Sequence, residues 1–124
     1  MTRFANKLYY SNVGIFSKFI KYIKNNYKYI EEIHSFGDAR YVNINNNVYL
    51  KNNFIHEYTT RPNYWYMYRH QYRQHRYNFR KNVLKTKLPN FDNTLSEWEN
   101  MQNNHYDRIW DCGNYKYILN IKEI

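Results

Sequence analysis

The stretch YWYMYRHQYRQHRYNFRKN, residues 64–82, holds five Tyr, a Trp, a Phe, four Arg, a Lys and two His, and no acid. Guanidinium groups bind phosphates and carboxylates through paired hydrogen bonds and stack on aromatic rings, and nucleobases stack on Tyr and Trp. The chemistry on offer is therefore recognition of an anion, not bond making. Read as a helix from about 62 to 84, the stretch places Arg69, Arg73, Arg76 and Arg80 at i, i+4, i+7 and i+11, one cationic ridge. Trp65, Tyr68, Tyr72, Phe79 and Val83 line one side, Tyr66 and Tyr77 the other, and Lys81 extends the charge. Trp65, Tyr66, Tyr68, Arg69, Tyr72, Arg73, Arg76, Tyr77, Arg80 and Lys81 are the expected partner-binding residues. RNA and a protein interface fit this ridge equally, because Arg and Tyr are enriched at both. A merely solvated helix face would mix charge signs and favour Lys and Glu.

Other chemistry has little to build on. His70 and His75 are five residues apart, about 140° around a helix, and cannot share one ion as an i, i+4 pair can. His34, His56 and His105 have no ligand spacing, so no metal site is expected. Cys112 stands alone in a turn without a neighbouring His, which leaves no activated nucleophile and no internal disulfide. Gly14, Gly37 and Gly113 make no phosphate loop, and no cofactor is expected. These absences argue for a protein that is not an enzyme.

Composition agrees. The 124 residues carry a net charge of +9, and 16 of them are Tyr. A Tyr keeps its hydroxyl near water or a partner, so this chain suits half-buried contact surfaces better than a dry aliphatic core. The charge favours an anionic partner. Mean hydropathy is −1.00, and no apolar run approaches the ~18 residues of a membrane span.

The elements that would position the ridge follow from periodicity. The expected fold class is α+β, a small single domain over 1–124 with an extended surface ordered by partners. Residues 1–35 form an amphipathic helical segment, with Phe16, Phe19, Ile20, Ile23, Tyr27 and Ile30 on one face and a cap at Ser11 or Asn12. Its first 30 residues have no acid and include Arg3, Lys7 and Lys18, the character of a mitochondrial transit peptide. Packing on its own domain is the commoner role for such a helix, and peripheral contact with a membrane surface is the other. Residues 36–60 read as a β-hairpin turning at Asn45-Asn46-Asn47, residues 61–88 as the basic aromatic helix, and residues 89–124 as a short helix and strand. Thr94 and Glu97 fit a capping box, and Leu95, Trp98, Met101 or Gln102, His105 and Ile109 recur at helical spacing. Tyr115, Tyr117, Leu119 and Ile121 alternate as a terminal strand.

Four segments in order resemble the accessory-subunit family of respiratory complex I called alpha-subcomplex subunit 12, with its assembly-factor relative. They are Val13–Tyr22, the Gly37–Asn52 strand–turn–strand, the Arg61, Trp65 and Tyr68 stretch, and Leu95-Ser96-Glu97-Trp98. In this chain Asn stands for the family's turn glycine, the proline before Glu-Trp is missing, and the Arg-rich stretch is an insertion. The resemblance implies a non-catalytic, peripheral subunit on the matrix arm of mitochondrial complex I, touching neighbouring subunits. A mitochondrial ribosomal protein with the same ridge on rRNA is the alternative.

Overall fold

The computed structural model describes residues 7–124, so Arg3 lies outside the described residues. The fold is α+β, with three α-helices and two small antiparallel sheets among the described residues. The chain divides into two compact units: one comprises the N-terminal part up to Arg61 together with Cys112–Ile124, the other Pro62–Asp111. The strand at Asn114–Asn120 thus shares the first unit with segments that precede Arg61 in the chain.

In the first unit, helix α1 (Ile15–Asn26) buries Phe16 and Ile20. Its N-cap is Gly14, whose φ of 69° suits glycine, and no side chain caps it. The expected cap at Ser11 or Asn12 is thus replaced, and Tyr27 and Ile30 fall beyond the helix. Strand β1 (Glu32–Asp38) and strand β2 (Ile55–Thr59) do not pair with each other. Both flank the strand formed by Asn114–Asn120, here β6, in antiparallel register. The alternation seen in sequence holds there: Tyr117 and Leu119 point into the core with Ile33, Phe54, Phe16, Ile20 and Ile121.

The expected hairpin at Asn45–Asn47 does not form. Asn43 accepts from the Asn45 amide, and Asn47 accepts from the Leu50 amide while donating to the Asn43 carbonyl and the Tyr117 hydroxyl. These side-chain amides satisfy the backbone locally and compete with strand pairing. The segment runs as turns into a 3₁₀ turn at Leu50–Asn52, and Tyr49 from it stacks on Tyr117 at 4.7 Å.

The second unit holds a larger correction. The stretch expected as one helix is a hairpin of β3 (Tyr64–Tyr68) and β4 (Arg73–His75), then a 3₁₀ turn at Arg76–Phe79 and the short helix α2 (Lys81–Lys87). Five residues of Tyr, Trp and Met favour a pleated surface over a helix, and Pro62 precedes the strand instead of opening a helix. At the tip, Arg69 and His70 both have positive φ, 45° and 61°, and the Gln71 amide donates to the Tyr68 carbonyl. That is the type I′ pattern, which matches strand twist. β3 also pairs with β5 (Tyr106–Trp110), giving the order β4-β3-β5.

Helix α3 (Glu97–Asn103) starts at Glu97, and its capping box is Ser96 with Glu99. Thr94, the expected cap, bonds to Asp92 instead. The helical spacing read through His105 and Ile109 stops at Asn103, because His105 turns at φ 66° and Ile109 is in β5. The core of this unit is Tyr64, Tyr66, Phe79, Leu84, Leu88 and Met101. Buried Asn100 and Asn104 tie α3 to the 90–96 loop: Asn100 accepts from the Asp92 amide and donates to the Asp92 and Ser96 carbonyls. Asn104 bonds to both backbone groups of Asn90.

Candidate functional site

Strand alternation sorts the expected site residues onto two faces. Tyr64, Tyr66 and Tyr68 point towards the core of the second unit, and Trp65 and Met67 point the other way. Tyr66 is fully buried, with Phe79 edge-on at 5.4 Å and Trp98 stacked at 6.3 Å, so it is a core residue and not a contact for a partner. Tyr68 packs on Tyr106 at 5.2 Å. Tyr72 and Tyr77 are exposed, as are Arg69, Arg73, Arg76, Arg80 and Lys81.

The four arginines form no helical ridge. Arg69 sits in the hairpin tip, Arg73 on β4, Arg76 in the 3₁₀ turn and Arg80 ahead of α2. What they share is a ring apiece. Arg69 lies over Tyr68 at 5.2 Å, Arg73 over Trp65 at 5.3 Å, Arg76 over Tyr64 at 4.5 Å, and Arg80 over Tyr77 at 3.9 Å. Among the described residues none of the four pairs with an acid. Arg76 adds one bond, to the Asn63 side chain. A guanidinium stacked by its face keeps its N–H edge free for a phosphate or carboxylate.

A second cluster was not foreseen. Glu97 accepts from the Tyr66 hydroxyl at 2.7 Å and the Tyr64 hydroxyl at 3.3 Å. Arg108 of β5 lies over Trp98 at 4.0 Å and Tyr64 at 4.4 Å, with its Nε buried and unbonded. Burial and the Glu97 bond push the Tyr66 phenol above its usual range, partly offset by Arg108. Tyr66 thus donates to Glu97, and the cluster ties the sheet to α3. No spacing rule links Glu97, Arg108 and Tyr64; they meet only once β3 pairs with β5.

The hairpin tip borders a shallow cleft of about 390 Å³ lined by Arg69, His70, Gln102, His105, Tyr106 and Asp107. His70 Nδ1 is 3.9 Å from Asp107 Oδ2, and both groups are solvent-exposed. Among the described residues no three His, Cys, Asp or Glu side chains gather as metal ligands. No helix among them is long and apolar enough to cross a membrane. Cys112 is free and exposed. No family model, curated protein or solved structure matches this chain.

Proposed function

We propose that the protein is a non-catalytic structural subunit of a large mitochondrial assembly, on the matrix side, and that the assembly is the ribosome, with the second unit seated on rRNA. The observation that supports this reading is the set of four exposed arginines, each lying over a ring and none paired with an acid among the described residues. The exposed Lys81, Lys85 and Lys87 follow directly, and no acid lies between Glu57 and Asp92. Pre-positioned, unpaired guanidinium groups suit a polyanion whose phosphates arrive with their own negative charge. The acid-free basic N-terminus supports the mitochondrial location. Because Phe16 and Ile20 are core residues of the first unit, a processed leader would have to end before α1.

RNA held this way loses affinity as salt rises, with a slope in log–log form of about −0.7 per phosphate contacted. The Arg73→Gln/Arg76→Gln double variant should therefore bind RNA with a slope shallower by about 1.4 and melt like the parent, since both side chains are exposed. An unchanged slope would sink the reading.

The second reading is a matrix-arm accessory subunit of complex I. In its favour, two of the resembling stretches meet in space: Trp98 stacks on Tyr66, and Glu97 accepts from its hydroxyl. Against it, Gly37–Asn52 is not a strand–turn–strand. In that reading the arginines clamp acidic surfaces of neighbouring subunits.

A further inference from the structure

We infer that the outer face of the β4-β3-β5 sheet is a stacking platform for an unpaired base of single-stranded RNA, with Trp65 as the platform and Arg73 as the phosphate contact. The inference rests on the RNA reading above and names the form of RNA taken. Cross-strand register places His75 and Ile109 on either side of Trp65, and Arg73 and Asp107 on either side of Met67. The core of the second unit contains none of these residues and lies against the opposite face. Trp65 is half-buried with Arg73 over its ring, Ile109 is 42% exposed, and Arg73 and His75 are exposed, so the indole on this face is covered by one mobile, solvent-facing side chain and not by the core. His75 packs perpendicular to the indole with ring centres 4.8 Å apart, which fixes the ring.

The charge around this patch is complementary to a nucleic-acid strand. Arg73 lies 5.3 Å from the Trp65 ring centre, and an entering base displaces it towards the base's own phosphate. Arg69 stands at the hairpin tip that follows, and the one acid on the face, Asp107, lies beside His70. A base stacked in a duplex has no free face for Trp65, so the platform selects unpaired RNA. The tip supports the same view. Arg69 and His70 occupy left-handed positions that Asn-Gly would fill with less strain, and such strain is commonly retained where a surface binds something.

The full chain should be titrated with labelled oligouridine and with an oligomer of the same length whose riboses carry no base. The expected result is binding of oligouridine about tenfold tighter than the abasic chain. Trp65→Ala should erase that difference, and Trp65→Phe should keep most of it. In the parent protein, 4-thiouridine RNA should photo-crosslink to the peptide containing Trp65, a readout that does not depend on any variant folding. Equal affinity for the two oligomers, or crosslinks confined to other peptides, would overturn the platform while leaving phosphate-driven RNA binding standing. Binding to neither oligomer but to polyglutamate would overturn the RNA reading as well and assign the surface to a protein partner.

Discussion

The two units differ in how many of their cations meet an acid. In the first, opposite charges meet: Glu31 with Lys122, Asp38 with Arg40, Glu57 with Lys116, and Glu32 with His34. Arg40 holds the Asp38 carboxyl below its usual range through hydrogen bonds. In the second, five arginines, including half-buried Arg108, lie over Tyr or Trp faces with no acid paired to them among the described residues, whereas the ring-stacked Arg40 and Lys116 of the first unit are also ion-paired. Ion pairs leave little for a partner to bind, whereas stacked arginines stay charged at their edges. The second unit also carries Arg69, His70 and His105 in left-handed backbone. The first unit carries Tyr9 and Asn53 in the same backbone region, and its β2–β6 register shifts between His56 and Tyr58.

The strongest test of this contrast compares the central tyrosines, Tyr66 and Tyr117, both fully buried. Replacing either with Ala should cost about 3–5 kcal/mol in urea unfolding. Replacing them with Phe should separate them. Tyr66→Phe removes a bond to the Glu97 carboxylate and should cost about 2 kcal/mol, while Tyr117→Phe removes a neutral amide contact and should cost about 1 kcal/mol. Equal losses would mean that the Glu97 cluster is not a special feature of the second unit.

Asn100→Ala should cost about 2 kcal/mol, because it strands the Asp92 amide and the carbonyls it serves. Ser96→Ala removes one half of the capping box and should cost about 1 kcal/mol. Alkaline titration sharpens the comparison further. An unfolded Tyr ionises near pH 10, but folded Tyr66 keeps its proton above that value. The unfolded chain then binds fewer protons than the folded one, so stability present below about pH 10 falls as pH rises further. Tyr66→Phe should flatten that decline; an unaltered decline would assign it to other tyrosines.

The parts of the fold legible in the sequence are those whose signal is local. Phe16 and Ile20 mark the buried face of α1 at helical spacing, and Tyr117 and Leu119 alternate because β6 buries one side. The Ser96–Glu99 box was missed by two residues, since Thr94 and Glu97 have the same spacing. The basic stretch misled for a physical reason: arginines at helical intervals were read as one stripe. The strand signal in Tyr64–Tyr68 spans five residues, and its partner β5 lies about forty residues on. Of the expected site, Trp65 and Arg73 do meet, and Tyr66 does not belong to it. His75 and Ile109 could be placed beside Trp65 only through cross-strand register.

We propose that an RNA-containing assembly holds this chain. The most direct test is to tag the native protein, lyse mitochondria gently, and fractionate by size with and without ribonuclease. Co-migration with rRNA that collapses on digestion is the expected result. Co-migration with NADH dehydrogenase activity, unchanged by ribonuclease, would contradict it and place the arginines against protein.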